Sequence, residues 1–161
     1  KVINEPSELV PMLRSVDTPV KRDVLKEVTL EWKTADEIEQ QFGPEGRDAI
    51  IFFEKMKLVE TRWVTSDGYP KKSYHTYYTS FNINGQWPVY EISDVLTAAM
   101  MEESEFAAME ARIIELVGTA GKFSGDIAET LGITSTMLKS LVRRSVKMDY
   151  RGHRIELIKE E

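Results

Sequence analysis

Two turns constrain this chain more than any other feature. Gly43-Pro44 and Gly132-Ile133 each separate a short capped helix from a second helix that leads into a hairpin. In the first instance Thr34 precedes residues 35–42 with Glu37 three places on, the capping-box spacing that satisfies two orphan N–H groups at a helix start. Ile38 and Phe42 fall on the inward side of that helix. After the turn, residues 44–57 bring Ile50 and Phe53 together, and Leu58-Val59 lead to a strand at 61–65. Asp67-Gly68 reverses the chain into a return strand at 73–81, rich in Tyr, Thr and Phe. Upstream, residues 7–15 read as a helix. Thr18-Pro19 is the cap and first residue of another over 18–31, where Val20, Val24, Leu25 and Val28 recur at helical spacing.

The same order returns in the second half. Residues 105–119 form an amphipathic helix carrying Phe106, Met109, Ile113, Ile114 and Val117. Ser124 caps a short helix at 125–131, and Thr134 or Ser135 caps the next, which runs to about Met148. A hairpin at 150–158 follows, with Arg151-Gly152 near its tip. Between the copies, residues 84–88 are a linker, and 92–101 form an acidic helix with Val95, Leu96, Ala99 and Met100 on one side. Helix, helix, turn, helix, hairpin is the winged helix-turn-helix order. The expected fold class is therefore mainly α with small β-hairpins, an α+β chain with two such units in tandem. The first covers 1–84, a linker and acidic connector 85–102, and the second 103–161.

Charge is unevenly spread. The chain of 161 residues has a formal net charge of −6. Residues 85–121 hold seven acids against Arg112, so the centre repels a polyanion while either flank could touch one. No stretch approaches the roughly 20 apolar residues of a membrane span, and no basic-then-apolar leader opens the sequence, so a soluble cytoplasmic protein without a membrane partner is expected. Cys is absent, which leaves His75 and His153 as the imidazole ligands and argues against a metal site. Phosphate-cradling and nucleophile-elbow motifs are also missing, so neither an enzyme nor a cofactor is expected.

The strongest chemical pattern lies on the helix after Gly132. Leu138, Leu141 and Val142 point to a core, while Thr136, Lys139, Ser140, Arg143 and Lys147 share the opposite face, followed by Arg151, His153 and Arg154 in the hairpin. Such a helix would place its first residues on base edges in the major groove of double-stranded DNA, with the hairpin cations on phosphates. An ordinary solvated basic face gives the same pattern. In the first unit the candidates are Arg47, Lys55, Lys71 and Lys72, with Tyr74 and His75 beside them; two lysines that keep a hairpin loop soluble are the plain alternative. Ile50 to Phe53 make that unit's third helix apolar nearly all round, as if another surface partly covered it. Trp63, Tyr69, Tyr74, Tyr77, Tyr78, Trp87 and Tyr90 gather in the wing and linker, where they could line a pocket or an interface, or pack the hairpin against its own helices.

Residues 18–22 (Thr-Pro-Val-Lys-Arg), 34–38 (Thr-Ala-Asp-Glu-Ile), 57–60 (Lys-Leu-Val-Glu) and the strand from Tyr74 to Phe81 resemble the ArsR-like winged-helix transcriptional regulators over about half the chain. The second unit looks like a generic winged helix. The resemblance implies a sequence-specific DNA-binding regulator. Two-fold operators imply a homodimer, for which 92–101 and 7–15 offer apolar residues. The family's metal-sensing thiols have no counterpart here, and the effector, if any, is open. The rival is a tandem winged-helix interaction module of a larger complex, favoured by the acidic balance and the apolar third helix.

Overall fold

The computed structural model describes residues 1–159. Glu160 and Glu161, the end of the expected second unit, lie outside the described residues. In chain order the elements are β1 (Val2–Ile3), a 3-10 turn (Pro6–Glu8), α1 (Leu9–Arg14), α2 (Pro19–Leu30), β2 (Lys33–Thr34), α3 (Ala35–Lys55), β3 (Val59–Ser66), β4 (Tyr69–Thr76) and β5 (Asn82–Ile83). Then follow α4 (Val89–Met100), α5 (Glu103–Val117), β6 (Lys122–Phe123), α6 (Ser124–Leu131), α7 (Ser135–Arg144), β7 (Met148–Arg151) and β8 (Arg154–Leu157). The chain is α+β, mainly helical with small antiparallel sheets.

Two compact units emerge: Lys1–Val2 with Met12–Asn82, and Ile3–Pro11 with Ile83 onward. Residues 3–11, read from sequence with the first unit, thus belong to the second, and so does α4, read as a connector. Val10 explains the first assignment, since it is fully buried in the core that contains Val95, Ile113, Leu138 and Val142.

In the first unit, Thr18 accepts from the Lys21 N–H at 3.2 Å and starts α2, whose Val24 and Val28 are buried. Thr34 and Glu37 form the expected reciprocal cap at the start of α3. That helix is broken at Gly43, whose φ of 75° is open to glycine at little steric cost, and Pro44 begins the second limb. The limbs pack so closely that a Cβ on Gly46 would stand 2.6 Å from the Phe42 Cβ. Ile38, Ile50, Phe53, Leu58 and Val59 close the core. The sheet order is β2-β4-β3, with Thr34 opposite Ser73 and Trp63 opposite Lys72. Asp67 and Gly68, both at positive φ, form the expected hairpin turn. The return strand is shifted toward the turn relative to its sequence signature: Lys71 and Lys72, which precede the strand expected at 73–81, lie inside β4, and Tyr77 to Phe81 leave the sheet.

The second unit repeats the element order, with sheet order β6-β8-β7. α6 begins at Ser124, one residue before its expected start, with Phe123 at the cap position. It ends at Gly132 in the left-handed conformation. Thr134 caps α7 by accepting from the Met137 N–H at 3.0 Å. α7 stops at Arg144, four residues short of its expected end, so Lys147 follows the helix rather than lying on its face.

Candidate nucleic-acid interface

In the first unit, the second limb of α3 and the β3–β4 hairpin bring Arg47, Lys71 and Lys72 together, each already facing a carboxylate. Arg47 donates to Asp36 and Glu39. Lys71 reaches the other oxygen of Asp36 at 2.7 Å, and Lys72 reaches Glu54 at 2.8 Å while lying 5.8 Å from the Trp63 ring. The hydrogen bond from Lys71, then that from Arg47, holds the Asp36 carboxyl below its ordinary range, and the same contact raises Lys71. Lys55 is half-buried at the end of α3. Tyr74 is buried with its hydroxyl 3.3 Å from Glu54, and burial, reinforced by that carboxylate, pushes its phenol up to about 12.

The apolar run in α3 sorts by face. Ile50, Phe52 and Phe53 are buried, whereas Ile51 is exposed beside Glu45 and Asp48. Trp63, on the face of the hairpin that carries Lys72 and Tyr74, stands out at 66% exposure, and Tyr69 at the turn at 70%. On the hairpin's other side His75 stacks on Trp32 with ring centroids 5.2 Å apart, and the Arg62 guanidinium lies 4.1 Å from the same Trp. Arg62 was missed in the sequence. The period-two alternation of β3 would have placed it on this face beside Glu60, 3.7 Å from His75.

In the second unit α7 buries Leu138, Leu141 and Val142 as expected, but its opposite side is not open. Ser140, expected among the groove-facing residues, is fully buried. Thr136 donates to Glu91 at 3.3 Å and Thr134 to Asp94 at 2.6 Å, so two α4 carboxylates occupy the positive end of α7. Lys139 and Arg143 lie 3.8 and 4.0 Å from Glu5 of the N-terminal segment. Arg144, which had no assigned role, is a buried clamp: it donates to the carbonyls of Ala98 and Met101 and to Glu103, and lies 4.3 Å from the Phe106 ring. Nothing in its own helix pattern distinguishes it from Arg143.

The remaining candidates sit around the hairpin. Lys147 faces the buried Glu110 at 3.4 Å, exposed Arg151 pairs with Glu156 at 3.1 Å, and Arg154 donates to the Ala120 carbonyl at 3.1 Å. His153 is exposed at the turn. Three buried side-chain polar atoms have no hydrogen-bond partner among the described residues: Ser7 Oγ, Ser140 Oγ and Arg143 Nε. A buried donor left unsatisfied costs about 1 to 3 kcal/mol, and all three lie on the 3-10 turn and α7.

Chemically, both units can exchange a carboxylate for a phosphate. Exposed or half-exposed ion pairs contribute little, about 0 to 1 kcal/mol, so a dense line of phosphates competes well for the same cations. Among the described residues no group of three His, Cys, Asp or Glu is placed to hold a metal ion, and no helix is long and apolar enough to cross a membrane.

A family model described as ArsR transcriptional regulator matches residues 3–159. The match runs through both units, beyond the N-terminal stretch whose motifs carry the resemblance in the sequence. No curated protein matches the chain, and no solved structure does.

Proposed function

Because this chain belongs to the ArsR transcriptional regulator family, we propose that it is a homodimeric regulator that binds double-stranded DNA with sequence specificity through its winged helix-turn-helix units. The family match across both units is the observation that carries this reading. In the first unit Arg47, Lys55, Lys71 and Lys72 are the phosphate grips, held at the meeting of α3 and the hairpin wing. In the second, Lys147, Arg151 and Arg154 flank the hairpin, while Thr136, Lys139, Ser140 and Arg143 need their coverings to part. No catalytic role is assigned to any of them.

The dimer reading rests on α4. Val89, Ile92, Leu96 and Met100 recur along one face and are all exposed, at up to 82%, while Val95 and Ala98 are buried on the other. The segment at 7–15 offers a partner less than its sequence suggested, because Val10 and Pro11 are buried within the second unit; Leu13 remains exposed.

Selection of bound duplexes from a random pool tests the reading. It should enrich two half-sites related by two-fold symmetry, with centres about one helical turn or a multiple apart. A second reading, a protein-interaction module, is favoured by one feature: the solvent side of the α3 second limb presents Glu45, Asp48 and Ile51, an acidic and apolar set ill suited to base edges. Selection that enriches no duplex over input would favour this second reading.

A further inference from the structure

We propose that residues 4–8 form a displaceable strap on α7, in which the Glu5 carboxylate stands where a DNA phosphate binds when the strap leaves. This inference rests on the duplex-binding reading and concerns the regulation of that site. Glu5 precedes the Pro6–Glu8 turn and faces both Lys139 and Arg143. These cations lie one helical turn apart on a single stripe of α7, a spacing that suits phosphate oxygens along one strand. The same seam leaves Ser7 Oγ, Ser140 Oγ and Arg143 Nε buried without partners. Close packing with unmet polar groups marks a contact that holds shut yet gains little in polar energy by staying shut.

The core side of α7 does not take part. Leu138, Leu141 and Val142 stay packed, and the Arg144 clamp keeps α4 in place when the strap moves. Ile3, 1% exposed with its carbonyl accepting from the Asn84 N–H at 2.9 Å, and the buried Val10 and Pro11 anchor the strap at its two ends, so its travel is confined to the residues between them. Opening exposes Lys139, Ser140 and Arg143 together. A unit that gripped DNA weakly through its hairpin then gains two phosphate contacts at once.

The test compares the whole chain with its Glu5→Gln variant on a selected duplex and on a random-sequence duplex, across a salt series, with Glu115→Gln as the control for loss of one exposed acid. Glu5→Gln should tighten binding about fivefold at fixed salt, the upper range for removing a competing exposed ion pair. Its log–log salt slope should steepen by up to about 1.8, two phosphate contacts' worth. Adding Lys139→Ala and Arg143→Ala to Glu5→Gln should abolish both gains, and duplex should raise hydrogen exchange at residues 4–8 in the parent chain. Equal affinity, slope and exchange for parent and Glu5→Gln, with the parent binding duplex normally, would overturn the strap and leave duplex binding standing. Absence of duplex binding in the parent and every variant, all folded by circular dichroism, would overturn the function itself.

Discussion

At Arg144 a guanidinium 5% exposed satisfies two backbone carbonyls, a carboxylate and an aromatic face. Removing it strands the Ala98 and Met101 carbonyls in the interior, so Arg144→Ala should destabilise the second unit by about 3 kcal/mol in urea denaturation. The exposed Arg112→Ala on α5 should stay within about 0.5 kcal/mol; equal effects would deny the clamp. A second residue-scale consequence is alkaline sensitivity. Burial pushes Tyr74 and Tyr150 up to about 12, against about 10 for a phenol in the unfolded chain. The fold therefore holds protons that the unfolded chain has lost. The contribution of the two phenols is complete below about pH 10 and is lost as pH rises through about 12. Replacing both with Phe should move the alkaline unfolding midpoint upward by circular dichroism, and an unchanged midpoint would contradict the assignment.

Among the elements, α4 has the clearest consequence for assembly. Leu96→Glu with Met100→Glu places two charges on its exposed apolar face without touching Val95, Ala98 or Ala99 beneath it. Sedimentation should show the parent as a dimer and the double variant as a monomer of unchanged secondary structure; the same mass for both would remove α4 from the interface. Much at this scale was legible in the sequence. The caps at Thr18, Thr34 and Thr134, the breaks at Gly43 and Gly132 and the Asp67-Gly68 turn all come from local chemistry, which a short window of residues contains. What was not legible is what covers a face. Helical spacing shows that Thr136, Lys139, Ser140 and Arg143 share a side of α7, yet a groove-facing side and one sealed by Glu5 and Glu91 carry the same residue types. Glu5 lies far away in sequence, and no periodicity links it to Arg143. β4 was misplaced for a related reason, since Tyr77 to Phe81 have strand propensity but leave the sheet that β3 pairs.

For the whole molecule, a net charge of −6 and a pairing of most candidate cations with a carboxylate make the proposed duplex binding an exchange of partners. Such exchange is weak on random sequence and strongly dependent on salt, which suits a regulator that must leave nonspecific DNA. The measurement that tests this most directly is the salt dependence of binding to a selected duplex, followed by fluorescence anisotropy, for the parent chain and for Lys71→Ala with Lys72→Ala. The account predicts a linear fall of log affinity with log salt in the parent. In the double variant the slope should be shallower by about 1.8, with the preferred sequence unchanged, because these lysines grip phosphate and read no base. An identical slope and affinity in the two proteins would contradict it.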